Sequence, residues 1–169
     1  MTRTVSEYGG HPPRASSRRG SVSFRSSVLG LAVFLGGCTT PSWLCWFPAG
    51  PGQVSIEAAE DANRHRAVAL DIVFVSNAQA AAQVAGLTAR EWFARREQLR
   101  RDWREALTIH SWEVTPGQRV PEARLSPPCN LVRSLAFADY ATPGEHRAQL
   151  GTAARLQVAL GASGFGVSP

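Results

Sequence analysis

The sequence predicts a mainly β protein with one amphipathic helix inserted among its strands. Three observations predict it. Apolar residues recur at every second position in 68–75 and again in 153–160, a single stretch from Thr88 to Ala106 has helical periodicity, and 11 Pro and 15 Gly break the rest of the chain into short runs.

The first element in order is a leader. Val28 to Gly37 is apolar or small, about half of the roughly 20 residues that a membrane-spanning helix needs, so it reads as the h-region of an export signal. Arg14, Arg18, Arg19 and Arg25 precede it, and Glu7 is the only acid before it. Leu35-Gly36-Gly37-Cys38 resembles the lipobox of bacterial lipoproteins, which implies cleavage before Cys38 and acylation of its thiol. The expected organisation is a signal peptide over 1–37, a lipidated tether over 38–52 and one domain over 53–169. Thr39, rather than Asp, after the cysteine implies sorting to the outer membrane.

Loss of 1–37 removes five arginines and one glutamate from the 18 basic and 13 acidic residues of the chain, leaving 13 and 12. The basic balance therefore belongs to the leader, and nucleic-acid binding is not expected of the domain. About 130 remaining residues suit one compact domain. Cys45 and Cys129 either pair, which would stabilise the domain by roughly 4 kcal/mol in the chain-entropy picture, or remain two thiols. No Cys/His spacing suggests a metal site.

Along the tether, Trp43, Trp46 and Phe47 sit among Pro41, Pro48, Pro51, Gly50 and Gly52, a composition that forbids a regular element. Their rings suit either the bilayer surface or the domain. A first strand follows from the alternation of Val54, Ile56 and Ala58. Glu60 to Ala67 is polar and is expected to project as a mobile loop, the kind of segment that carries binding residues. Val68, Leu70, Ile72 and Phe74 share one face of a second strand whose other face is also mostly apolar, so this strand is predicted to be central and covered on both sides. Asp71 lies on that other face, either as a functional group or as a locally hydrogen-bonded one.

Asn77 to Gly86 reads as a small-residue connection. Thr88-Ala89-Arg90-Glu91 is a capping box that starts the helix, with Trp92, Leu99, Trp103 and Ala106 on its core face and Phe93 at the margin. Glu91/Arg95 and Glu97/Arg101 are spaced as i,i+4 pairs. Arg95, Arg96, Arg100, Arg101 and Arg104 suit an acidic partner or lipid headgroups, although their interleaved acids favour a solvated face. Thr108 to Val114 is a strand closed by Pro116-Gly117, followed by a loop containing Pro121, Pro127 and Pro128. Leu131 to Tyr140 and Ala153 to Leu160 are further strands joined through a turn at Thr142-Pro143-Gly144-Glu145. The segment 161–169 is a short last strand or a frayed tail.

His65, His110 and His146 fall in different segments. No nucleophile elbow, zinc-protease, Walker or dinucleotide motif occurs, so neither an enzyme nor a cofactor is expected. Taken in order, the Leu35 to Cys38 lipobox, Val54 to Phe74 with its Asn63-containing loop, the Pro116-Gly117-Gln118 turn, and Leu131 to Tyr140 followed by His146-Arg147 resemble the TssJ family, the outer-membrane lipoproteins of type VI secretion. The resemblance implies a transthyretin-like sandwich held in the periplasm by a palmitate-type anchor. It also implies a partner, the periplasmic domain of the inner-membrane subunit TssM, and a partner-binding loop between the first two strands in which Asn63, Arg64 and Arg66 are the candidate residues. Two alternatives remain at this level: a pilotin-like assembly lipoprotein of another envelope machine, and a lipid-anchored hydrolase or ligand binder.

Overall fold

The computed structural model describes residues 50–169. The expected signal peptide, Cys38, Cys45 and most of the expected tether lie outside the described residues. Gly50 and Pro51, at the end of that tether, are buried on the domain, Gly50 against Leu131.

The elements run β1 (Gln53–Ala58), a 3-10 turn (Ala62–Arg64), β2 (Val68–Val75), α1 (Ala78–Ala85), α2 (Ala89–Asp102), β3 (Leu107–Val114), β4 (Arg119–Arg124), β5 (Arg133–Asp139), β6 (Arg147–Gln149), β7 (Arg155–Leu160) and β8 (Phe165–Ser168). They form two four-stranded sheets, β4-β1-β7-β8 and β3-β2-β5-β6. All strand pairs are antiparallel except β1 with β7, which run parallel from Gln53 opposite Arg155 to Ala58 opposite Leu160.

The alternation in β2 decides the layering, because one strand presents a different core on each face. Val68, Leu70, Ile72 and Phe74 pack between the sheets with Val54 and Ile56 of β1 and Leu156, Val158 and Leu160 of β7. Val73 and Val75 point the other way, into a second cluster with Ala80 and Val84 of α1, Trp92 and Leu99 of α2, and Phe137 of β5. The helices thus form a third layer on one sheet, and β2 is central and covered on both faces as its composition predicts.

Two helices, not one, make that layer. The segment read as a connection is α1: the side chain of Asn77 accepts hydrogen bonds from the Gln79 and Ala80 amides, and the alanines that follow are good helix formers. Thr88 caps α2 as predicted. Its hydroxyl accepts from the Glu91 amide, and its own amide donates to the Glu91 carboxylate at 2.8 Å. Hydrogen bonding from Thr88 holds the Glu91 carboxyl below its ordinary range. Glu91 is engaged at the cap, and Arg95 acts on it through its charge and not through an ion-pair contact.

The predicted core face of α2 changes at its end. The helix stops at Asp102, and Trp103, at φ −118°, is half-buried and donates its indole N–H to Gln83. β4 replaces the predicted proline loop, with Pro121 tolerated because the strand is at an edge. β8 resolves the end of the chain as a strand. Arg147 of β6 clamps the helical layer by donating to the carbonyls of Ala85 and Leu87 and pairing with Glu145.

His110 of β3 has its Nε2 accepting from the Ser126 amide at 3.3 Å and its ring edge-on to Phe74. Burial lowers its pKa from 6.5. The unfolded chain therefore binds a proton more readily, and the stability held by the neutral ring is present above about pH 6.5 and lost as the pH falls through it. Melting midpoints from pH 7.5 to 5 should decline, with a shallower slope in His110→Gln. An identical slope in the variant would remove His110 as a cause.

Candidate interaction surface

The connection between β1 and β2 is bent by backbone conformation. Asn63, Arg64 and His65 follow one another at φ 47°, 56° and 63°, a left-handed run of non-glycine residues that needs outside support. Asn63 supplies most of it. Its Oδ1 accepts from the Ala141 amide at 2.8 Å, its Nδ2 donates to the Ala67 carbonyl at 3.0 Å, and its amide donates to the Gly161 carbonyl at 3.1 Å. His65 Nδ1 donates to the Glu60 carbonyl at 3.0 Å.

These bonds tie the loop down at Asn63. Asn63 is only 4% exposed, so it faces inward and fastens the loop to the β5–β6 and β7–β8 connections. Arg64, His65 and Arg66 are exposed and are presented by the turn that Asn63 holds. The Thr115–Gln118 turn lies beside the start of the loop, at Ala59 and Glu60. Gly117, at φ 73°, donates its amide to Ala59, and a side chain there would meet the Glu60 carboxylate below 3 Å.

A depression of about 560 Å³ adjoins the loop, lined among others by Arg66, Arg90, Glu113, Asp139 and Tyr140. Its charges are mixed and exposed, a composition that suits a polar rim better than a catalytic pocket. Tyr140 is structural. Its hydroxyl donates to the Gly164 carbonyl at 2.7 Å, its ring stacks on His146 at 4.8 Å, and burial raises its pKa to about 12. Asp71 lies elsewhere, beneath α2 at 1% exposure, taking hydrogen bonds from the Trp92 indole at 2.8 Å and from Arg96. Among the described residues no group of three or more His, Cys, Asp or Glu is placed to hold a metal ion, and no helix is long and apolar enough to cross a membrane. Cys129 is disulfide-bonded.

Sequence reasoning singled out the loop, but not the inward bonds of Asn63, whose partners Ala141 and Gly161 are far along the chain. It also missed Arg90 and Asp139, which no local pattern connects to the loop.

Layering and site together define a small β-sandwich with helices on one sheet and a polar loop cluster at one end. More particularly, the fold is TssJ-like. The TssJ1 lipoprotein of type VI secretion from Pseudomonas aeruginosa superposes with a TM-score of 0.52 at 16% identity, over 70% of this chain and 95% of that one. Lip of Serratia marcescens, a membrane-bound component of the same kind of system, gives 0.53 at 12% identity, over 70% and 98%. A chain from the structure of the TssM C-terminal domain from EAEC gives 0.53 at 11% identity, over 69% and 96%. No protein-family model and no curated protein matches the sequence.

Proposed function

We propose that this chain is a lipid-anchored structural component of a type VI secretion membrane complex, held at the outer membrane through Cys38 and binding the periplasmic domain of a TssM-type inner-membrane subunit. The observation that carries the reading is the coincidence of a TssJ-like fold with the Leu35 to Cys38 lipobox, two features that neither require nor imply each other. Arg64 and Arg66 are the contact residues in this reading, and Asn63 sets the turn that presents them. With Cys38 acylated, Cys45 is the partner of the Cys129 disulfide.

Exposed charged residues at an interface rim act mainly on association rate and salt dependence. The double variant Arg64→Ala, Arg66→Ala should therefore lose capture of the partner's periplasmic domain at moderate salt, with its melting midpoint unchanged. Cys38→Ser should leave the membrane fraction, because acyl burial contributes about 0.8 kcal/mol per methylene and is then absent. Undiminished binding by the double variant would exclude the loop. Failure of the unaltered chain to bind any TssM-type domain from its own organism would overturn the function, and a Cys38→Ser protein that still resists carbonate extraction would overturn the anchor.

A further inference from the structure

We propose that the free edge of β3 and the arginine row of α2 form a second docking groove, and that its occupant is an extended acidic segment of a partner protein, which pairs with β3 as an added strand. The argument begins with the four sheet edges. β4 carries Pro121 and faces a register shift between Val54 and Ile56, β6 has three residues, and β8 has four with Gly166 inside it. Each is blunted in a way that discourages pairing. β3 is not blunted. It has eight residues, no proline and an unbroken register with β2, and among the described residues it pairs with β2 alone.

The helix-side face of β3 and the flank of α2 enclose an open groove of about 960 Å³. Leu107, Ile109 and Ser111 form its floor, and Arg96, Arg100, Arg101 and Arg104 line its wall beside a single acid, Glu97. Arg96 is drawn inward to Asp71 at 3.3 Å. Arg100, Arg101 and Arg104 are exposed and make no ion pair or side-chain hydrogen bond among the described residues. A strand laid along β3 would have its backbone satisfied by the edge. Every second side chain would face the arginines, and the alternate ones would lie beside His110 and Trp112 on the other face.

Charge selects the occupant. Residues 1–49 of this chain contain one acid, Glu7, so its own leader and tether are poor candidates. A second copy paired β3 to β3 would bring two arginine rows together and repel. Phosphate groups of a lipid surface would accept from the arginines but would offer no donor to the β3 carbonyls. The groove lies along the part of β3 that pairs with Asp71 to Val75, whereas the Arg64 loop precedes Val68 at the opposite end of β2, so the two surfaces are separate and this inference does not depend on the loop.

The test uses the full mature chain and a synthetic peptide of alternating Glu and Val matched to the length of β3, with an alternating Lys and Val peptide and phosphatidylglycerol vesicles as comparators. The acidic peptide should bind with an affinity that falls as salt rises, and should slow hydrogen exchange of alternate β3 amides. The double variant Arg100→Glu, Arg104→Glu should bind it about tenfold more weakly or worse, with an unchanged melting midpoint. Equal binding of the lysine peptide, binding without protection of β3 amides, or binding to vesicles but not to the acidic peptide would each overturn the proposal.

Discussion

Trp92→Ala is expected to lower the melting midpoint of the domain by about 15 °C or more, enough to leave it largely unfolded near growth temperature. Trp92 is fully buried, stacks on Phe137 with ring centres 5.0 Å apart and planes 10° from parallel, and donates its indole N–H to Asp71 at 2.8 Å. Truncation opens a cavity, which for a buried tryptophan costs about 3–5 kcal/mol. It also takes the shortest hydrogen bond from a carboxylate that is 1% exposed, leaving Arg96 at 3.3 Å as the remaining partner, a further loss on the order of 1–3 kcal/mol. Small domains have about 5–15 kcal/mol in total. Trp92→Phe keeps a ring against Phe137 and should fall between the variant and the parent. Thermal melts followed by circular dichroism decide the matter, and a shift under about 5 °C for Trp92→Ala would show that the helical layer is not integral to the fold.

Asn63→Ala is expected to destabilise the domain by about 2–4 kcal/mol, a large effect for a residue in a surface connection. Alanine retains neither the acceptor for the Ala141 amide nor the donor to the Ala67 carbonyl, and it tolerates φ 47° less well than asparagine. Asn63→Gly separates the two causes, because glycine restores backbone freedom and leaves the hydrogen bonds unmade. Glycine should therefore recover only about 1 kcal/mol of the loss. Chemical denaturation of the three proteins would measure the difference, and an unchanged midpoint for Asn63→Ala would show that its bonds do not hold the turn.

Where local pattern and tertiary need coincide, the sequence was legible. β2 was readable because its two faces are both apolar, and α2 because the Thr88-x-x-Glu91 box marks its start before any packing is considered. Legibility failed where the deciding partner is distant. Asp71 meets Trp92 and Arg96, which lie 21 and 25 residues on, and Asn63 meets Ala141 after 78. α1 was hidden by its lack of charged or large residues, although Asn77 ahead of an alanine-rich run was a usable capping signal. Pro121 argued against β4 because a proline excludes a central strand, and only the sheet order shows the strand to be at an edge. Trp103 illustrates a periodicity carried one residue past the end of a helix.

If the chain is anchored through Cys38 as proposed, the parallel pairing of β1 with β7 has a mechanical meaning. Tension applied ahead of Gln53 runs along β1, which is held on one side by β7 over all six of its residues and on the other by β4. Ladder hydrogen bonds lie across the strand, so a pull along β1 loads both rows together in shear instead of peeling them open one bond at a time. Edge strands such as β8 and β6 stay off the direct line of force. Extraction of the domain by its leash would then be limited by the rate at which two sheared ladders give way at once, the property by which a load-bearing link outlasts brief tugs.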